Sequence, residues 1–183
     1  MKKAALLLAD GFEEVEAITP IDFLRRAGIE VSVVGVTGAE VRGGHGITVG
    51  ADITVDQVAS DELDAVIIPG GMPGAENVAA SREAQNLILE VFAAGKLTAA
   101  ICAAPAVVLD PLGILKGKKA NCYPGFEKRF KDAVYLPDRV VQDGNVISSC
   151  GPGCAAEFSF AIIEYLLGKE PAEEVKRRTL NDR

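Results

Sequence analysis

The 183-residue chain has a single histidine, His45. A hydrolase built on a cysteine or serine nucleophile normally uses an imidazole to take up the nucleophile's proton, so His45 is the only base of that kind on offer. It sits in a glycine-rich stretch, Arg42-Gly43-Gly44-His45-Gly46, far from any cysteine in sequence. Basic charge is scarce too: 19 Lys and Arg stand against 26 Asp and Glu, for a net charge of −7 and a pI near 4.8. Phosphate binding needs clustered Lys and Arg, and no basic stripe occurs, which excludes nucleic acid and anionic membrane surfaces as partners. No stretch approaches the roughly 20 apolar residues that a membrane span requires. Met1-Lys2-Lys3 followed by Ala4 to Ala9 imitates the start of a signal peptide, but the apolar run is short and ends in Asp10-Gly11. It reads as a first strand, and the expected compartment is the cytoplasm.

Cysteines number four. Without a secretory signal they read as free thiols in a reducing compartment rather than as a disulfide framework. Their spacing is not C-x-x-C, and Cys150 closes an expected strand while Cys154 opens an expected helix, so the reading gives them a packing role and no metal. The glycine turns lack the lysine of a phosphate loop, and no G-x-G-x-x-G follows the first strand, so no nucleotide cofactor is expected.

What is present is an alternation of apolar runs, glycine turns and amphipathic segments. Ala4 to Leu8 is a buried strand turned by Ala9-Asp10-Gly11. A helix follows through Glu13 to Ala17, with Pro20 opening or kinking its second half, Ile21 to Ala27, and Gly28 as its cap. Glu30 to Gly35 completes a βαβ unit. A short strand is expected over Ile47 to Val49, a short helix within Asp56 to Asp64, and a buried strand over Ala65 to Ile68, ending at Pro69-Gly70-Gly71. The helix Arg82 to Ala94 has Ser81 as its N-cap and Ala84, Leu87, Ile88 and Val91 on one face. After strand Leu97 to Ile101 come a hairpin, Arg139 to Gln142 and Val146 to Ser149, a helix from Cys154 to Leu167, and a last short helix from Pro171. The order predicts one domain over residues 1–183: an α/β three-layer sandwich, doubly wound, with a mostly parallel sheet.

The chemistry is expected at Cys102. Strand Leu97 to Ile101 stops at this thiol and turns into a helix near Ala104 and Pro105, since proline is tolerated in a first helical turn. Small neighbours, Ala100 and Ala104, suit a strained nucleophile elbow, and a helix N-terminus behind it would favour thiolate. A buried structural cysteine has the same local pattern. Gly70-Gly71 offers backbone N–H groups for an oxyanion, or simply a tight turn. Among Glu13, Glu14 and Glu16, spacing does not decide which carboxyl points inward; one that does would tend to keep its proton and hydrogen-bond a thiolate.

Leu8-Ala9-Asp10-Gly11-Phe12-Glu13-Glu14-Val15-Glu16, Arg25-Arg26-Ala27-Gly28, Ile68-Pro69-Gly70-Gly71, Ala99-Ala100-Ile101-Cys102-Ala103-Ala104-Pro105 and Gly151-Pro152-Gly153 occur in that order. Together they resemble the ThiJ/PfpI superfamily, in particular the branch of the parkinsonism-associated deglycase, from Ala4 to about Lys176. The resemblance implies a flavodoxin-like sandwich and a homodimer. It implies Cys102 as the oxidisable nucleophile, Glu16 as its protonated hydrogen-bond partner, and Gly71 and Ala103 as backbone donors. It further places Gly151 and Pro152 in the site from a second subunit, and His45 near a position where some relatives present a partner-chain arginine. Several relatives carry a histidine close to the cysteine in the segment that here reads Asn121-Cys122-Tyr123-Pro124. Tyr123, with a reference pKa of about 10, is no near-neutral base, though its phenol can donate a hydrogen bond.

The expected function is therefore a cysteine-dependent enzyme acting on a small aldehyde or glycated substrate, of the glutathione-independent glyoxalase or deglycase type, with no cofactor. A redox sensor or stress chaperone whose Cys102 oxidises to sulfinate is the alternative. A peptidase or amidase is a third reading, which the absence of a nearby histidine disfavours.

Overall fold

A computed structural model describes all residues, Met1 to Arg183. Seven strands form the central sheet: β1 (Lys3–Leu8), β2 (Glu30–Gly35), β3 (Ile53–Thr54), β4 (Ala65–Ile68), β5 (Leu97–Ile101), β6 (Val140–Asp143) and β7 (Val146–Ser149). Their spatial order is β6-β7-β5-β4-β1-β2-β3. All neighbours run parallel except the hairpin pair β6 and β7. Ala4 to Leu8, Ala65 to Ile68 and Leu97 to Ile101 are buried along their whole length, as strands covered on both faces must be.

Five helices accompany the sheet: α1 (Glu14–Arg26), α2 (Gly74–Ala80), α3 (Arg82–Ala93), α4 (Ala155–Leu167) and α5 (Lys169–Arg178). The crossover from β1 to β2 moves one way along the sheet and that from β4 to β5 moves the other. Right-handed crossovers then put α1 and the α2–α3 pair on opposite faces, which makes the three layers. Helix α4 packs against α1. No helix is long and apolar enough to cross a membrane. Strand order reverses between β1 and β4, and the carboxyl ends around such a switch point leave a crevice between the turns. The turn after β1 leads through Glu13 into the first turn of α1, which holds Glu14 and Glu16, and the turns after β4 and β5 carry Gly70-Gly71 and Cys102.

Several expectations change in detail. Helix α1 is continuous through Pro20, which leaves the carbonyl four residues earlier, that of Glu16, without an intrahelical donor. Helix α2 was not expected: its seven residues hold a glycine and only one large apolar side chain, Val78. The helix expected after Cys102 is a single π turn, Pro105–Leu109. The stretch Asp56 to Asp64 holds two 3-10 turns, Val55–Gln57 and Ser60–Glu62, instead of one helix. The strand near Ile47 runs Thr48–Gly50 and pairs with Glu40–Arg42 outside the main sheet. Ser81 caps α3 as expected, its hydroxyl accepting from the Ala84 N–H at 3.2 Å.

Candidate active site

Cys102 has φ +65°, one of two non-glycine residues in the left-handed region. That conformation is costly for a side-chain-bearing residue and persists only where neighbours hold it. Here the Cys102 N–H donates to the Ser149 carbonyl at 2.9 Å, and the Cys102 carbonyl accepts from the Tyr123 N–H at 2.8 Å. The β5 turn is thus an elbow fixed on both sides. Its side chain points into the crevice and is 9% exposed.

Glu16 is the inward carboxyl. On α1 it falls in the row Glu16, Pro20, Leu24, a helical repeat of four that faces the interior, and its own exposure is nil. Its Oε2 accepts from the Gly70 N–H at 2.9 Å. Its Oε1 is buried without a hydrogen-bond partner, and the Cys102 thiol is the side chain that acts on this carboxyl. Gly70 makes the encounter possible. A Cβ there would lie 2.6 Å from Cys102 Cβ and 2.7 Å from Glu16 Oε2.

Burial raises Glu16 from the ordinary carboxyl range to about 7, with Cys102 and the Gly70 N–H acting in the opposite sense. Burial, then the Glu16 carboxylate, pushes the Cys102 thiol up to about 12, while the N–H groups of Gly71 and Ala103 pull it down. This corrects the expectation of a thiol depressed by a helix end: only one π turn follows the elbow, and the sulfur shares a dry spot with an acid. The pair therefore gives up its protons in two steps, the carboxyl's first and the thiol's second.

The sulfur opens onto a cavity of about 250 Å³ lined by Glu13, Gly71, Met72, Cys102, Ala103, Tyr123, Phe126 and Pro152. Gly71 and Ala103 both line this cavity beside the sulfur, and their N–H groups work to lower the Cys102 thiol. Gly71, at φ +87°, turns β4 toward α1, and a Cβ on it would crowd the Gly11 carbonyl at 2.5 Å. Pro152 lines the cavity from the same chain, so this wall does not need a second subunit. Gly151 gives room to the Tyr123 ring, which a Cβ would approach to 3.2 Å. Met72 and Phe126 carried no signal in the sequence: Met72 lies in a turn and Phe126 opens a short 3-10 helix, neither of which has a periodic pattern.

His45 is not part of the cavity lining. It is 70% exposed; its ring Nδ1 is 2.8 Å from Glu14 Oε2, and its N–H donates to Glu14 Oε1 at 2.7 Å. Burial works against the charged form of Glu14, yet the His45 ring and the N–H groups of His45 and Ile47 outweigh it, and the Glu14 pKa is lowered. The same pairing, with Glu13, raises His45. Glu13, Glu14 and His45 bring ligand-type atoms within 4.8 Å of one another, the grouping best able to approach a cation, though Glu14 already spends both oxygens on His45 and Ile47.

A parallel α/β sandwich with a strained cysteine at a strand-to-turn elbow, backed by a buried acid, defines a class of cysteine-elbow proteins. A model of the DJ-1/PfpI family matches residues 2–165, and the chain belongs to that family. It is 42% identical to protein dj-1beta of Drosophila melanogaster over 182 residues, covering 98% of this chain and 97% of the relative. It is 35% identical to a deglycase of Pyrococcus abyssi, covering 82% of this chain and 91% of that one. The structure of oxidised Toxoplasma gondii DJ-1 superposes with a TM-score of 0.95 at 40% identity, over 98% of each chain. The chain spans 44% and 40% of the lengths of DJ-1 homologs A and B of Arabidopsis thaliana, which it matches at 40% and 38% identity.

Proposed function

We propose that the protein is a cysteine-dependent enzyme acting on small reactive carbonyls, of the glyoxalase or deglycase type. The observation that carries this reading is the Glu16–Cys102 pair, meeting over Gly70 at the floor of a cavity the size of a small molecule. The name of the Pyrococcus relative is consistent with it. The Cys102 sulfur adds to the aldehyde carbon of a 2-oxoaldehyde such as methylglyoxal while its proton passes to the new alkoxide, giving a hemithioacetal. The N–H groups of Gly71 and Ala103 hold that oxygen. Glu16 takes the proton from the former aldehyde carbon and returns one to the adjacent carbon, leaving a thioester. Water then cleaves the thioester to lactate and the free thiol.

Methylglyoxal turnover followed as lactate tests this. Cys102→Ser should abolish it, and Glu16→Gln should lower it by about 10²–10⁴-fold, the range for loss of a general acid–base. Undiminished turnover in Cys102→Ser would remove the mechanism.

A second reading, oxidation of Cys102 to sulfinate as a sensor, is favoured by the two N–H groups that act on the sulfur and would hold sulfinate oxygens. Mass spectrometry after mild peroxide should find two oxygens on Cys102 and no oxygen added to Cys122, whose buried thiol is raised to about 12. The working unit in either reading is a homodimer, for which the exposed Val15 and Ile18 of α1 offer an apolar face. A monomer in sedimentation equilibrium would remove that part.

A further inference from the structure

Cys150 and Cys154 are read from the sequence as separate packing residues. The structure brings their sulfurs to 2.9 Å. Between them Gly151-Pro152-Gly153 folds into a 3-10 turn, closed by the Cys154 N–H donating to the Gly151 carbonyl at 2.8 Å. The turn projects residues four apart onto one side. Both cysteines are free thiols, Cys150 half-buried and Cys154 buried. A disulfide is about 2.0 Å long, so bond formation needs the two sulfurs to approach by only about 1 Å.

We propose that Cys150 and Cys154 form a reversible dithiol–disulfide site whose oxidant is a hydroperoxide and whose reductant is a small thiol. Cys150, the more accessible sulfur, attacks the distal peroxide oxygen. The O–O bond breaks, an S–O bond forms, and the peroxide leaves as an alcohol, or as water from hydrogen peroxide. Cys154 then attacks the oxidised Cys150 sulfur. The S–S bond forms, the S–O bond breaks, and the hydroxyl departs as water with the Cys154 proton. Two thiols lose two electrons and two protons in all, and the peroxide gains them. Arg139 assists the second step. Burial and the Cys150 contact hold Cys154 as a thiol, raised to about 11, while the Arg139 charge acts the other way. The guanidinium is fixed beside the turn by donating to the Gly153 carbonyl at 2.6 Å and to Glu157.

Reversibility follows from the size of the ring. A bridge between residues four apart removes little entropy from the unfolded chain, so it contributes little stability and a thiol reductant can reopen it. The site is independent of the carbonyl reaction, since Cys102 takes no part. It still bears on the cavity, because the tied turn carries Pro152, one of the cavity walls.

The test treats the full-length protein with one equivalent of hydrogen peroxide, blocks free thiols by alkylation, and maps the digest without reduction. The expected product is the peptide holding both residues, two hydrogens lighter, with neither sulfur alkylated until dithiothreitol is added. Cys154→Ser should leave an oxidised Cys150 that a sulfenic-acid probe captures, and Cys102→Ser should give the bridge in undiminished yield. Full alkylation of Cys150 and Cys154 at a dose that oxidises Cys102 would overturn the proposal. So would a Cys122–Cys150 bridge in its place, or loss of the bridge in Cys102→Ser. Failure of methylglyoxal turnover would leave it standing.

Discussion

Glu16 and Cys102 meet over the bare α-carbon of Gly70, whose N–H also donates to the Glu16 carboxyl. A methyl group at that carbon has no free volume on either side. Gly70→Ala is therefore expected to destabilise the fold by about 1–3 kcal/mol through overpacking and to part the acid from the sulfur. Urea unfolding measures the first effect, and the rate of Cys102 alkylation measures the second. A change in stability below about 0.5 kcal/mol, the usual range for a neutral surface site, would show that the three residues are less tightly fitted than described.

The raised acid makes stability depend on pH with a definite sign. Glu16 moves from 4.5 to about 7, so between those values the native state binds more protons than the unfolded chain. Its contribution is greatest below pH 4.5 and is lost as the pH rises through 7, a swing on the order of 3 kcal/mol at 1.36 kcal/mol per pKa unit. Glu16→Gln should flatten the profile and be the more stable protein at pH 8. Parallel profiles for the two proteins between pH 5 and 8 would contradict the burial argument.

His45 ties its loop to Glu14 and does not line the cavity. His45→Ala is expected to lower the melting temperature while leaving Cys102-dependent turnover close to that of the parent. The lost stability should be largest in acid, because a histidine raised by its partners contributes below its ordinary pKa and stops contributing above its folded one. Turnover that vanishes with this imidazole would point instead to a cysteine–histidine dyad.

Away from the site, Ser81→Ala should cost about 1 kcal/mol, the usual worth of an N-cap, with no change in turnover. Equal midpoints in denaturant would mean that the Ala84 N–H is served equally well by water.

The parts legible in the sequence are those that local chemistry decides. Apolar runs of strand length gave β1, β4 and β5; Ser81 marked the start of α3; small residues around Cys102 marked the elbow. The sense of the Cys102 shift was not legible, because it depends on how deeply the sulfur sits and on an acid 86 positions earlier in the chain. Glu14 looks like a surface residue in the sequence, and only the return of the loop at His45 and Ile47 encloses it. The Cys150–Cys154 contact is not legible in the sequence, which gives one cysteine to a strand end and the other to a helix start in packing roles; the 3-10 turn between them brings the sulfurs together.

The two backbone hydrogen bonds that clamp Cys102, to Ser149 and from Tyr123, use only main-chain atoms. The mount of the reactive group is accordingly indifferent to what it carries. Selenium or a bare hydroxyl can be installed at the tip while the chain keeps its course, so this position serves as a socket for comparing nucleophiles of different softness in one fixed setting.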